Sequence, residues 1–272
     1  MNLEQLIQAA LKEDLPNGDV TTDALKLGQR EGRARVLAKE DLVLSGQEVF
    51  TAVMQAVDPL IQLKWVAQDG QFTWSKQTVC MLHGPLPSLL KAERTALNFL
   101  GRLSGIATLT RCFVQQVEHT ACRILDTRKT TPLLRDLEKT AVRHGGGQNH
   151  RRNLSEAVLL KDNHLRAVGG VRQAVQMVRA QTSLPIEVEC ETLAQVEEAV
   201  ALKVAWILLD NFDDEQLKQA LKLIPATVQT EASGNMTLDR VKRVAELGVT
   251  AISVGALTHS APTADLSLEF EL

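Results

Sequence analysis

Hydrophobic and polar positions follow two different rhythms along this chain, and the rhythm changes near residue 112. At the N-terminus, MNLEQLIQAALKED sets Leu3, Leu6, Ile7 and Leu11 on one face at helical spacing, with Asn2 as the cap. RARVLAKEDLVLSG, LIQLKWVAQ and FTWSKQTVCMLHG then alternate like half-exposed strands, punctuated by short turns such as QDG. A long stretch, PSLLKAERTALNFLGRLSGIATLTRCFVQQVEH, runs helical with few breaks and crosses the change of rhythm. Residues 1–112 therefore predict an α+β domain joined to the rest by helix rather than by a flexible linker.

From about Phe113 to Leu257, apolar strands end in a polar residue and amphipathic helices follow. The predicted strands are RILD, AVLLK, IEVEC, WILLD, TVQTEA and AISVG. Strands and helices alternating at this spacing give parallel strands with helical crossovers. Glu189, Asp210 and Glu231 stand 21 residues apart, and Ser253 follows 22 later, each near the carboxyl end of its strand. In a β/α barrel that end is the rim where active sites form. Asp126, Lys161, Glu189, Asp210, Glu231 and Gly255 are thus expected on one face. Only six strands are legible, short of the usual eight, so the expected barrel is open or incomplete.

Composition changes this picture mainly by exclusion. No apolar run approaches the roughly 20 residues of a membrane span. The first residues have no basic region or small-residue cleavage site, so a cytoplasmic location is expected. Aromatics are 3%, Tyr is absent and the net charge is −3, which argues against a nucleic-acid binder held by stacking. The four cysteines, Cys80, Cys112, Cys122 and Cys190, show no CxxC spacing and read as reduced thiols.

Against that mild acidity, residues 127–152, TRKTTPLLRDLEKTAVRHGGGQNHRR, hold seven Lys or Arg, two His and two acids. A strand ends at Asp126, and Arg128 and Lys129 follow at the rim. Thr131 and Pro132 form a predicted Ncap–N1 pair for a helix whose apolar face is Leu134, Leu137, Ala141 and Val142. Gly145 to Gly147 end it, and QNHRR leads back to the rim. This places Arg128, Lys129, His150, Arg151 and Lys161 around one hollow. Two Arg forks suit carboxylate or phosphate, and five cationic groups exceed the need of a single carboxylate. Arg135, Lys139, Arg143 and Arg152 are expected on a solvated face instead. Glu189 and Asp210 are the acids of the hollow, suited to Mg²⁺ or ribose hydroxyls, or to ion pairs with Lys161 or Lys129. EASGN and SVGAL put glycines at late strand ends, where backbone N–H groups can cradle a phosphate.

TRKTTPLLRDLEKTAVRHGGGQNHR, LLKDNHL, IEVEC, LLDNF, EASGN and SVGALTHS, in this order, resemble the quinolinate phosphoribosyltransferase family, as do GDVTTDAL and ERTALNFLGRLSGIAT. The resemblance covers nearly the whole chain. It implies transfer of a phosphoribosyl group from phosphoribosyl pyrophosphate (PRPP) to quinolinate with loss of CO2 and Mg²⁺ as cofactor, in NAD biosynthesis. It implies an N-terminal α/β sandwich (1–112) beside an open β/α barrel (113–259), with the tail 260–272 packing on the sandwich, assembled as a homodimer or a hexamer. By the same resemblance Arg128, His150 and Arg151 hold the quinolinate carboxylates, with Arg94 added from the partner subunit. Lys129 and Lys161 lie between quinolinate and the diphosphate, Glu189 and Asp210 stand at the ribose and metal, and Ser233, Gly234, Gly255 and His259 bind phosphate.

Leu133 and Asn235 stand where the family pattern has Gly, and Arg152 where it has an apolar residue. Three other readings remain open on the residues alone: a paralogous transferase acting on another ring acid, a Schiff-base aldolase using Lys129 or Lys161, and a non-catalytic anion-binding module.

Overall fold

The computed structural model describes residues 2–271 of the 272-residue chain. In chain order the first part contains α1 (Leu3–Asp14), α2 (Val20–Ala24), β1 (Glu31–Ala38), β2 (Leu42–Val43), α3 (Gln47–Val57), β3 (Gln62–Trp65), β4 (Phe72–Thr73), β5 (Thr78–Pro85) and α4 (Leu86–Val117). Alternation then sets in with β6 (Arg123–Leu125), α5 (Arg135–His144), β7 (Val158–Leu160), α6 (Asp162–Val168), α7 (Val171–Arg179), β8 (Ile186–Cys190) and α8 (Leu193–Ala201). It continues with β9 (Trp206–Asp210), α9 (Asp214–Leu223), β10 (Gln229–Ser233), α10 (Leu238–Glu246), β11 (Ala251–Ser253), α11 (Ala256–His259) and β12 (Leu266–Glu271).

Local chemistry accounts for these elements. Asn2 caps α1 by accepting from the Gln5 N–H at 2.9 Å, while the Gln5 side chain accepts from the Asn2 N–H at 3.0 Å. β1 alternates exposed and buried positions, as a strand with one wet face must. β8 is buried at all five positions, as an interior strand of a parallel sheet is.

The chain forms two compact units. One comprises residues 1–111, 130–146 and 258–272, and the other residues 112–129 and 147–257. The first boundary falls inside α4, and the excursion 130–146 and the tail cluster with the first unit. That unit carries an antiparallel sheet in the order β12-β1-β5-β3, so the tail supplies an edge strand paired with β1. The second unit carries a parallel sheet in the order β6-β11-β10-β9-β8-β7. Six strands make it an open barrel, with β6 and β7 at its edges. Gln148 partly fills the β6 edge by a bridge to Leu125.

Three expectations about the basic stretch are corrected. The helix begins at Arg135, not at Thr131–Pro132, because Leu133 sits at φ +69° and no right-handed helix passes through that conformation. Thr131 is engaged elsewhere: its N–H and hydroxyl donate to Glu138 at 3.0 and 2.8 Å. Leu137 is only half-buried, whereas Glu138 and Lys139 are buried. Glu138 is matched by Arg102, whose Nη2 lies 2.8 Å away. Of the four cations expected in solvent, Arg143 and Arg152 are exposed, Lys139 is buried, and Arg135 is half-buried with its Nε donating to Thr130 Oγ1 at 2.9 Å.

The glycines at the end of α5 have separate duties. Gly145 presses on α4, where a Cβ would collide with the Ala107 carbonyl and the Thr110 side chain. Gly146 takes the left-handed turn at φ +91°. On α4 the small residues Gly101 and Gly105 leave room for the tail backbone at residues 262–264. Cys80, Cys122 and Cys190 are buried, and burial pushes each thiol up to about 12, so they are unreactive packing groups. Among the described residues, no helix is long and apolar enough to cross a membrane.

Candidate active site

The carboxyl ends of the parallel strands open on a cavity of about 320 Å³. Its wall takes Thr127, Arg128 and Lys129 from the turn after β6, Lys161 from the end of β7, and Glu189 from β8. Asp210, Ser233 and Ser253 end β9, β10 and β11 and complete the ring, with His150, Arg151 and Glu231 below. The period-21 spacing along the sequence becomes adjacency across the sheet: Glu189 and Glu231 both stand level with Leu208, and Ser233 stands level with Asp210 two residues farther along. A larger cavity of about 450 Å³ beside β7 is lined mainly by aliphatic side chains such as Leu154, Val158 and Met177. It gathers no set of opposed acids and bases.

Cations and acids are interleaved in the ring. Lys161 Nζ lies 3.1 Å from Glu189 Oε2, the ion pair weighed from the sequence. His164 folds back so that its Nδ1 accepts the Lys161 N–H at 3.0 Å, which explains the spacing in KDNH. Asp126 is fully buried and fixes the returning loop, accepting from Asn149 Nδ2 at 2.6 Å and from the His150 N–H at 2.8 Å. Burial first, then the neighbouring Arg128 guanidinium, lowers the pKa of Arg151. Two guanidiniums that disfavour each other's charge are a receptor for an anion.

Under the ring His150 meets two acids that the sequence reading left without a role. His150 Nε2 is 3.2 Å from Glu187 Oε2 and 3.5 Å from Glu231 Oε2, while His150 Nδ1 accepts the Arg151 N–H at 2.7 Å. Burial alone lowers the His150 pKa, but the two acids outweigh it and the net direction is upward. Glu231, with 1% of its surface exposed, is raised to about 7, chiefly by burial and then by the Glu187 charge. The three ligand atoms lie within 4.8 Å of one another, a spacing that a divalent cation could bridge. A proton on Glu231 relieves the same crowding of charge.

The structure brings Arg128, Lys129, His150, Arg151, Lys161, Glu189, Asp210 and Ser233 to one cavity. Gly234 and Gly255 follow the strand ends but are not among its lining residues. Gly234 has a packing reason of its own: at φ +95°, its missing Cβ leaves space for the Asn211 side chain. Arg240 Nη1 then donates to the Gly234 carbonyl at 2.8 Å and holds that loop. Arg94, on α4, and His259, at the end of α11, are exposed residues of the first unit. His259 Nδ1 is 2.6 Å from the Ser260 hydroxyl. Arg94 has no ion-pair partner among the described residues. Glu187 was missed, yet IEVEC carries the signal, since acids two apart on a strand face the same way.

Comparison with known proteins divides the chain once, inside α4. Residues 19–104 match the quinolinate phosphoribosyl transferase N-terminal domain, and residues 106–269 match the C-terminal domain. The chain is 42% identical to a probable carboxylating nicotinate-nucleotide pyrophosphorylase of Synechocystis, over 98% of this chain and 92% of that protein. It is 38% identical to a Bacillus subtilis protein of the same description, over 100% and 94%. The crystal structure of a nicotinate-nucleotide pyrophosphorylase from Ehrlichia chaffeensis superposes with a TM-score of 0.96 at 35% identity, covering 100% of this chain and 99% of that one.

Proposed function

The chain belongs to the quinolinate phosphoribosyltransferase family, and from that membership and the cavity described above we infer that it converts quinolinate and PRPP to nicotinate mononucleotide, pyrophosphate and CO2. The observation that carries this reading is the pairing of two guanidiniums with a ring of lysines and acids in a single cavity.

A ring dicarboxylate presents two anions, and Arg128 and Arg151 present two forks. As pyrophosphate departs, the ribose carbon becomes cationic. The site must therefore stabilise a leaving anion and a developing cation close together. Lys129 and Lys161 serve the anion; Glu189 and Asp210 stand where carboxylates serve the cation. The ring nitrogen has no proton to lose, so attack requires no general base. Once alkylated, the pyridinium draws electrons and lets the adjacent carboxylate leave as CO2. Lys161 is half-exposed and bonded to Glu189, unlike the dry apolar setting that Schiff-base chemistry uses.

The donor set also suits Mg²⁺. Glu189 and Asp210 offer hard carboxylate oxygens without a full protein cage, which matches an ion that keeps waters and binds substrate phosphates. Glu189 and Asp210 would hold it, and it would neutralise charge on the diphosphate. Assembly follows from Arg94: an exposed guanidinium with no ion-pair partner among the described residues fits a contribution to the partner subunit's site in a two-fold dimer.

The test is product analysis. Quinolinate, PRPP and Mg²⁺ are expected to yield nicotinate mononucleotide and one CO2 per pyrophosphate, with nicotinic acid inert because it leaves half-buried cations unmatched. Turnover of nicotinic acid at a comparable rate would overturn the reading.

A further inference from the structure

Loss of CO2 leaves the reaction one proton short. The bond from the ring carbon to the departing carboxylate breaks, and its electron pair stays on that carbon beside the pyridinium nitrogen. The product carries hydrogen there, so a proton must be delivered within the site.

We propose that Glu231 is the proton donor that completes decarboxylation. This rests on the transferase reading above. Glu231 lies in the middle of β10 and lines the substrate cavity. It also lines a second cavity, of about 400 Å³, bounded by Arg123, Val158, Pro185 and Trp206. Those four stand at or just before the first residues of β6, β7, β8 and β9, so the second cavity is at the opposite end of the strands. Glu231 is therefore bordered by reactant on one side and by a separate opening on the other. His150 and Arg151 share that position.

The surroundings suit a carboxyl that holds a proton and releases it on demand. Glu231 Oε1 is buried and, among the described residues, has no hydrogen-bond partner; the same is true of Glu187 Oε1. Two such oxygens beside one imidazole are crowded acceptors, and a proton on one of them relieves the crowding. Burial and Glu187 favour the protonated acid, whereas His150 and the Ser253 hydroxyl favour the carboxylate left after transfer. Arg128 and Arg151 line the same cavity and bring positive charge to it. Lys161 is a less suitable donor because Glu189 already engages it at 3.1 Å.

The step balances. Carbon takes the proton as its bond to the carboxylate breaks, the O–H electron pair stays on Glu231, and CO2 departs in that same step with no net oxidation. Glu231 then faces the His150 Nε2 as a carboxylate and regains a proton from water in the second cavity.

Single-turnover release of pyrophosphate and CO2, followed separately, tests the assignment. Wild-type enzyme is expected to release the two in equal amounts; failure of that control would overturn the transferase reading, and this one with it. With that control met, Glu231→Gln is expected to slow CO2 release about 100-fold, as loss of a general acid does. Pyrophosphate release should slow far less, and mass analysis should find a mononucleotide that still bears both carboxylates. Glu231→Asp, which keeps an acid one methylene farther back, should lag in the same order but less. If either folded variant releases pyrophosphate and CO2 in step, at whatever rate, Glu231 is not the donor.

Discussion

His150 and Glu187 are joined at 3.2 Å across the floor of the substrate cavity, and the second ring nitrogen of His150 is taken by the Arg151 N–H. The ring is held on both edges by the protein itself. Its position near the substrate is therefore set by buried acids.

Removing that ring should expose the cost of the acids. His150→Ala leaves Glu187 and Glu231 buried without their shared partner, a loss expected to cost about 3 kcal/mol near pH 8. Glu231 is raised to about 7 in the folded protein, so the folded state keeps a proton that the unfolded chain has already lost above its ordinary range near 4.5. Stability from this group accordingly falls as pH rises between those values. The His150 pKa is raised as well, so its contribution is fully present below 6.5 and is lost as pH rises through the folded value. Urea unfolding of the wild-type protein should therefore show stability falling from pH 5 to pH 8, and a His150→Ala protein as stable as wild type at both pH values would contradict the assignment.

Arg128→Ala and Arg151→Ala should each weaken quinolinate binding by about 2–5 kcal/mol, the range for breaking a buried charge pair. Arg135→Ala should leave quinolinate affinity unchanged. It should still cost about 1 kcal/mol of stability, since its Nε bonds Thr130 Oγ1. Calorimetric titration alongside thermal melting separates the two effects.

A shared site makes a quantitative prediction for Arg94. Arg94→Ala and Arg128→Ala chains should each be inactive, yet recover activity when mixed and allowed to exchange subunits. Random pairing gives mixed dimers half the time, each with one intact site of two, so recovery should approach about a quarter of wild type. Exchange proven by differently tagged subunits, with no recovery, would remove Arg94 from the partner's site.

Leu133→Gly should stabilise the protein by up to about 1 kcal/mol, because Leu133 is held at φ +69° and is exposed, so little packing is lost. Asn235→Gly, at φ +49°, should change stability less, since Asn tolerates the left-handed region. Denaturant midpoints at an unchanged slope provide the measurement, and a destabilised Leu133→Gly would show that the leucine side chain makes a contact that matters.

Much of this protein was legible in its sequence. IEVEC and WILLD are β8 and β9 to the residue, the strand count of six predicts an open barrel, and the recurrence of Glu189, Asp210 and Glu231 marks three residues that line one cavity. These are consequences of local periodicity: a strand's direction and length follow from its own residues, and parallel strands of similar length end together. Other features needed the tertiary structure. Glu138 and Lys139 look like surface charge on a helix, yet they are buried, and Arg102, 36 residues before Glu138, supplies its counter-charge. The left-handed turn at Leu133 has no signal in a leucine, and it moved the start of α5. Glu187, His150 and Glu231 come from β8, a loop and β10, and they meet only in the folded chain, where His150 reaches both acids although Glu187 stands level with Trp206 and Glu231 with Leu208. Periodicity tells which way a side chain points, whereas the partner it meets, and hence its charge state, depends on chain segments tens of residues away.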